Sequence, residues 1–185
     1  MITCEYAVTM AAYNEWMNTR LYTAAGGLSA GELVTERKAF FGSIIGTLNH
    51  VVVGDTVWLK RFATHPAGYA SLEPVRALPD PERLDQIQFS KLDELFARRT
   101  MLDMAIRQWA AELSEADLRH VLDYENMKGI PARKSFAGLI VQFFNHQTHH
   151  RGQATTLLSQ TGEDVGITDV LALLPDEGDP ISDDN

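Results

Sequence analysis

Four stretches of the chain carry apolar residues at intervals of three and four positions, which is the spacing of amphipathic helices. The first predicted helix runs from about Glu5 to Ala25 and ends at two glycines. The second begins after Ser43 as its N-cap and reaches about Ala63. This second helix is apolar on almost every side, which is typical of a helix that packs inside a bundle and also against a second subunit.

A third helix is predicted from Asp80 to about Glu112, because an aspartate, a proline and a glutamate in succession have the pattern of a capped helix start. Leu84 and Ile87 are then expected on its core-facing side. The stretch 64–79 before it contains prolines and a glycine and is expected to be a loop.

Short strands are predicted at Val121–Tyr124 and Ile130–Arg133, joined by the turn Asn126–Gly129. Ser135 is the expected N-cap of the fourth helix, which ends near Gln160. Four long amphipathic helices in a chain of this size predict an all-α fold, a four-helix bundle with a short β-hairpin before its last helix.

Length and composition then narrow the classes of function. Residues 1–175 are predicted to form one domain, and 176–185, with five acidic and no basic residues, a flexible tail. The formal charge of −9 repels phosphate backbones, so no nucleic-acid role is expected. The single cysteine, Cys4, excludes an internal disulfide and, since no leader sequence is recognisable, indicates the cytoplasm. No stretch approaches the ~18 uncharged apolar residues of a membrane span.

Three of the six histidines lie within five positions of the fourth predicted helix: His146, His149 and His150. His146 and His150 are four residues apart, so a helix puts both imidazoles on one face, where they can bind one metal ion. Both fall on the apolar side of that helix. The alternative is that each is a buried neutral histidine bonded to a neighbour. Burying two imidazoles without partners costs on the order of a few kcal/mol, and a shared metal would remove that cost.

A catalytic metal centre of this kind needs about three protein ligands and an open position. His50, midway along the second predicted helix, is the candidate for the third ligand, although on its own it would be interpreted as an ordinary core histidine. The residues on its face are small and leave room for a close approach: Gly46, Thr47 and Gly54. His65 and His120 are expected at the surface.

Four further residues are candidates for contacts around the metal or its substrate, and none is assigned a catalytic role. His149 and Gln153 are expected in the pocket wall, where they could hydrogen-bond a substrate or a bound water. Asp55 falls in the apolar stripe of the second helix, and because buried carboxylates are normally paired, Arg151 is predicted as its partner. Asp55 lies about 140° around the helix from His50, which makes it a poor fourth ligand.

These residues give the chain a resemblance to the DinB family, the DinB/YfiT-like group of metal-dependent proteins. The resemblance covers nearly the whole length and is carried by four segments: Tyr13–Asn18, Gly42–Leu59, Phe144–Gln153 and Thr168–Leu171. It implies a four-helix bundle, commonly a homodimer, that binds one divalent metal ion per chain through His50, His146 and His150. Relatives in this family include S-transferases that use bacillithiol or mycothiol and the metal domain of maleylpyruvate isomerase.

Three classes of function follow. The chain is expected to be an enzyme, in which the metal activates a low-molecular-weight thiol for transfer, or a hydrolase, in which the same site activates water. The alternative is a non-catalytic protein in which the ion stabilises the bundle or senses a ligand, and a dimeric scaffold with degenerate histidines is a third option. Three imidazoles suit several divalent metals, of which zinc or nickel is expected, with iron as the alternative.

Overall fold

A computed structural model describes residues 2–176 of the 185-residue chain. Four long helices make up most of it: α1 (Cys4–Ala25), α3 (Ile44–Phe62), α5 (Leu92–Glu112) and α6 (Phe136–Ser159). Three of them begin at hydroxyl side chains that accept a backbone N–H of the first turn: Thr3, Ser43 and Ser135. Ser43 and Ser135 are the N-caps predicted from the sequence.

The long helices pack in a ring in which α1 contacts α5 and α6, and α3 contacts the same two partners from the opposite side. One cluster of buried apolar residues joins all four. The predicted four-helix bundle is therefore confirmed, and α3 is buried along almost its whole length, as its apolar sequence predicts.

Shorter elements fill the connections. Helices α2 (Ala30–Val34) and α4 (Glu73–Arg76) lie before and after α3. The predicted hairpin is confirmed as β1 (Val121–Glu125) and β2 (Pro131–Ser135), which pair antiparallel with Val121 opposite Ser135. Its turn is held by the Asn126 side chain, which accepts the N–H groups of Lys128 and Ile130.

The predicted start of the third helix is wrong. Helix α5 begins at Leu92, and residues 79–91 before it contain no helix or strand. Leu84 and Ile87, predicted to face the core, are 44% and 52% exposed. The aspartate and proline at the predicted start do not suffice, because main-chain groups of Leu84, Gln88 and Phe89 bond to side chains of α3.

The predicted surface position is wrong for His65. His65 is buried, since it packs against Tyr69 and Phe136 after the end of α3, while His120 beside it is partly exposed. Of the predicted acidic tail, only Asp176 lies within the described residues. No helix among residues 2–176 is both long and apolar enough to cross a membrane.

Candidate metal centre

Helices α3 and α6 bring the three predicted ligands together. The Nε2 atom of His50 lies 3.2 Å from Nε2 of His146 and 3.1 Å from Nε2 of His150. His50 and His150 are buried, and His146 is partly exposed. Within residues 2–176, no other group of three or more histidine, cysteine or acidic side chains converges as closely.

The opposite ring nitrogens of two of these histidines are already bonded. Nδ1 of His50 lies 2.7 Å from the carbonyl oxygen of Leu84, and Nδ1 of His150 lies 2.8 Å from Oε1 of Gln153. Because a carbonyl oxygen can only accept, each Nδ1 carries the proton and donates it. The two Nε2 atoms that face each other are therefore both lone-pair acceptors, and such a pair is stabilised by a cation between them.

Electrostatics keep the three imidazoles neutral and able to bind a metal. Burial lowers the pKa of His50 and of His150, against the opposing effect of their Nδ1 acceptors. Burial and the two neighbouring imidazoles lower the pKa of His146 to about 3. Protons therefore compete weakly for these nitrogens near neutral pH.

The spacing of the nitrogens fits a divalent ion. Tetrahedral ligands about 2.1 Å from zinc lie roughly 3.4 Å from one another, close to the 3.1 and 3.2 Å between the Nε2 atoms of His50 and its two partners. Gly54 makes this approach possible, because a Cβ added there would lie 2.8 Å from Cε1 of His146. The predicted role of small residues on this face of α3 is thereby borne out for Gly54.

Phe41 forms a wall of the centre and was not predicted from the sequence. Its ring stacks on His50 with centroids 3.8 Å apart and meets His150 edge-on at 5.4 Å. The backbone of the loop before α3 comes so close to Gly46 that an added Cβ would lie 2.1 Å from the Phe41 carbonyl oxygen. Only the position of Phe41 directly before the Gly42-Ser43 helix start could have indicated it.

His149 and Gln153 lie beside the trio, as predicted. The Gln153 carboxamide bridges two histidines, since its oxygen accepts from Nδ1 of His150 while its nitrogen lies 3.1 Å from Nε2 of His149. His149 is exposed and its ring lies 4.7 Å from that of His150. Gln153 thus holds the ring of His150 in place, and His149 borders the centre on its solvent side.

Comparison with known proteins agrees with this geometry. The family model described as the DinB family matches residues 1–179. The chain belongs to the DinB family. It is 24% identical to Protein DinB of Bacillus subtilis (strain 168) over 167 residues, which cover 89% of this chain and 91% of the relative. No solved structure gives a significant match. DinB membership and the three converging histidines together indicate metal binding.

Asp55 has a different partner in this DinB protein from the one predicted. It is fully buried and contacts Nη1 of Arg99, not Arg151. Burial raises the pKa of Asp55, and the guanidinium of Arg99 acts in the opposite direction. Asp55 is not part of the group of side chains that converges with the three histidines.

The contact between Asp55 and Arg99 belongs to a larger buried group that we call the ionic network. Arg99 also lies 3.0 Å from Asp103, whose Oδ1 accepts from two asparagines of α1. One of these asparagines accepts from Arg151 of α6. The network spans all four long helices and consists of Asn14, Asn18, Asp55, Arg99, Asp103 and Arg151.

A signal for this network was present in the sequence. Arg99 lies between Leu95 and Leu102 at the same three- and four-residue steps as the core positions of α5, and Asp103 follows it four residues later. Charged residues at core positions indicate buried ion pairs. Because Arg99 is surrounded by two carboxylates, its pKa is raised despite the opposing effect of burial.

Proposed function

We propose that this protein is a metal-dependent enzyme that transfers a low-molecular-weight thiol to an electrophilic substrate. The observation that carries the proposal is the set of three neutral imidazoles whose Nε2 atoms converge, with no carboxylate among them. Three neutral ligands leave the full charge of a divalent cation uncompensated, and an anionic ligand such as a thiolate is then strongly favoured.

The chain's own residues supply the surroundings of that chemistry. A divalent ion held by His50, His146 and His150 would lower the pKa of a thiol so that it ionises near neutral pH. Leu84 and Gln153 fix the orientation of two of the ligand rings. The Phe41 ring stacks on His50 and would shield that side of the centre from water. In the transfer, a carbon–sulfur bond forms, the leaving group departs from that carbon, and the thiol proton passes to solvent.

Hydrolysis is the alternative reaction, because a divalent ion at this site would ionise a bound water as well as a bound thiol. Two described carboxylates influence these histidines electrostatically, and both are paired. Asp85 forms a bidentate pair with Arg83, and Asp55 contacts Arg99. Neither carboxylate belongs to the converging group, so a hydrolase at this site would depend on the metal alone to ionise its water, and the resemblance to thiol S-transferases favours thiol transfer.

Metal analysis combined with a transfer assay tests the proposal. We expect about one divalent ion per chain in protein purified without an affinity tag, with zinc or nickel favoured over iron. The loaded protein should accelerate the reaction of cysteine-based low-molecular-weight thiols with an electrophilic reporter such as 1-chloro-2,4-dinitrobenzene. His150→Ala should abolish both properties, and His120→Ala, outside the centre, should retain both. A loaded protein without transfer activity for any thiol would contradict the proposed reaction and favour a structural or sensing role for the ion.

The proposal also includes a homodimer that works in the cytoplasm. The family resemblance supports the dimer, and the free Cys4 is compatible with a reducing compartment. Light scattering should then give about twice the chain mass of 20.6 kDa, and a mass equal to that of one chain would contradict the dimer.

A further inference from the structure

The carboxamide of Asn49, the residue before His50, has all four of its hydrogen-bonding positions occupied. Its nitrogen donates to the carbonyl oxygens of Ile45 and Phe89, each at 2.9 Å. Its oxygen accepts the N–H groups of Gln88 and Phe89 at 2.9 and 3.0 Å. Three of the four bonds therefore reach across to the segment before α5, and only one is local.

The segment that Asn49 contacts has little else to hold its middle in place. Residues 79–91 contain no helix or strand, and the side chains of Leu84 and Ile87 are largely exposed. Apolar burial, the usual force that fixes a connecting segment, is thus weak there. Between Pro81, which is buried, and Phe89, the segment is attached to α3 by its main chain, through the side chains of Asn49 and His50.

We propose that Asn49 is a positioning residue for the metal ligand His50. By holding Gln88 and Phe89, Asn49 keeps the Leu84 carbonyl oxygen within 2.7 Å of Nδ1 of His50. That bond decides which nitrogen of His50 carries the proton. The inference rests on the metal site of the proposed function, but it does not depend on the thiol reaction.

The physical reason is the tautomer of His50. A neutral imidazole has one N–H, and only the nitrogen without it can bind a metal. While Leu84 accepts from Nδ1, Nε2 keeps its lone pair toward His146 and His150. If the segment moves away, Nδ1 loses its acceptor, and the proton can occupy Nε2, where the neighbouring imidazoles accept it. The histidines then bond to one another instead of to a metal.

Two variants test the bonds between Asn49 and the segment before α5, one by changing α3 and the other by changing the segment. Asn49→Leu preserves most of the side-chain volume in the buried position but removes the three hydrogen bonds that Asn49 makes to the segment. Gln88→Pro removes one N–H of the segment and leaves α3 unchanged. Asn18→Leu is the matched control, because Asn18 is equally buried but bonds to Asp103 in the ionic network.

The readouts are the zinc dissociation constant by chelator competition, amide exchange at residues 88 and 89, and the ¹⁵N signature of His50 in the metal-free chain. We expect Asn49→Leu and Gln88→Pro to weaken zinc binding by about 10- to 100-fold, the usual effect of removing a contact to a ligand. Both should speed amide exchange around Phe89 and reduce the Nδ1–H form of His50. Asn18→Leu should lower the free energy of unfolding but leave zinc affinity within twofold of that of the unchanged chain.

Two results would overturn the inference. One is a folded Asn49→Leu protein that binds zinc within twofold of the unchanged chain. The other is a metal-free Asn49→Leu protein in which His50 keeps its Nδ1–H form. Failure of the thiol reaction alone affects neither readout, so the proposed function and the role of Asn49 are tested separately.

Discussion

The histidine centre and the ionic network are two groups of polar side chains inside the same bundle, and they are balanced in opposite ways. In the network, Asp55, Arg99 and Asp103 supply both signs of charge, so the chain compensates itself. In the centre, His50 and His150 present lone pairs to each other and nothing in the chain lies between them. Burial of polar side chains alone therefore does not indicate a metal site. Lone-pair acceptors that face each other without a donor between them indicate one.

The largest loss of stability is expected when Arg99, the central cation of the ionic network, is removed. Arg99→Ala leaves Asp55 and Asp103 buried without their counterion, and we expect it to lower the free energy of unfolding by about 3–5 kcal/mol. Arg107→Ala on the same helix is the control, since its pair with Glu15 is exposed and should contribute less than about 1 kcal/mol. Urea unfolding measures both. Similar losses for the two variants would show that the buried ionic network contributes no more to stability than an exposed ion pair.

The histidine centre should show the reverse pattern. His146→Ala removes one of three ligands and should weaken zinc binding by at least about 100-fold, more than the loss of a contact to a ligand. It should change the free energy of unfolding of the metal-free chain by less than about 1 kcal/mol, because the imidazole it removes has an unpaired, buried Nδ1. Chelator competition measures the zinc affinity, and urea unfolding measures the free energy of unfolding. Zinc bound as tightly as before would exclude His146 as a ligand.

Acid should affect the metal-free centre in a direction fixed by the pKa of His146. Burial and the neighbouring imidazoles lower that pKa to about 3 in the folded chain, from the ordinary histidine value of about 6.5. Between these values the unfolded chain binds the additional proton, so stability falls as pH decreases from about 6.5 toward 3, by at most about 1.4 kcal/mol per pH unit for this residue. Urea unfolding at pH 7, 6 and 5 should show a steeper loss in the unchanged chain than in His146→Ala. Equal slopes would show that His146 titrates normally.

The smallest expected effect is that of Gly54→Ala, which adds one methyl group and should change zinc affinity without a large change in the free energy of unfolding. Gly54→Ala places a Cβ 2.8 Å from Cε1 of His146 and should displace that ring, which we expect to weaken zinc binding about tenfold. The higher helix propensity of alanine, up to about 1 kcal/mol, offsets the strain in the fold. Gly152→Ala is the control, because nothing lies within 4 Å of its added Cβ. It should stabilise the chain and leave zinc affinity unchanged, and equal affinities in both variants would mean that His146 adapts freely.

Much of the fold and the convergence of the three histidines could be predicted because they follow from local spacing. Hydroxyl N-caps and three- and four-residue repeats located the starts of α3 and α6. The four-residue step between His146 and His150 placed both rings on one face, and the small residues around His50 left room for them.

What could not be predicted depends on partners distant in sequence. The segment 79–91 has a strong local helix start, yet Asn49 and His50 take up the main-chain groups of Leu84, Gln88 and Phe89. Local propensity contains no information about such bonds. The prediction of the partner of Asp55 was wrong for the same reason. Two buried arginines, Arg99 and Arg151, were available, and only the packing of α5 against α3 selects Arg99.

The ionic network has a consequence for how the chain reaches this structure. Its members are far apart in sequence: Asp55 and Arg99 are separated by 44 positions, and Asn14 and Arg151 by 137. A partly assembled bundle that buries any of these charges leaves it without its partner, which is strongly unfavourable. Intermediates with three docked helices are therefore penalised, and closure of the ring becomes an all-or-none event. Since α3 and α6 each carry residues of the network as well as the histidines, the bonds that stabilise the closed bundle also stabilise the helix arrangement in which the three histidines meet.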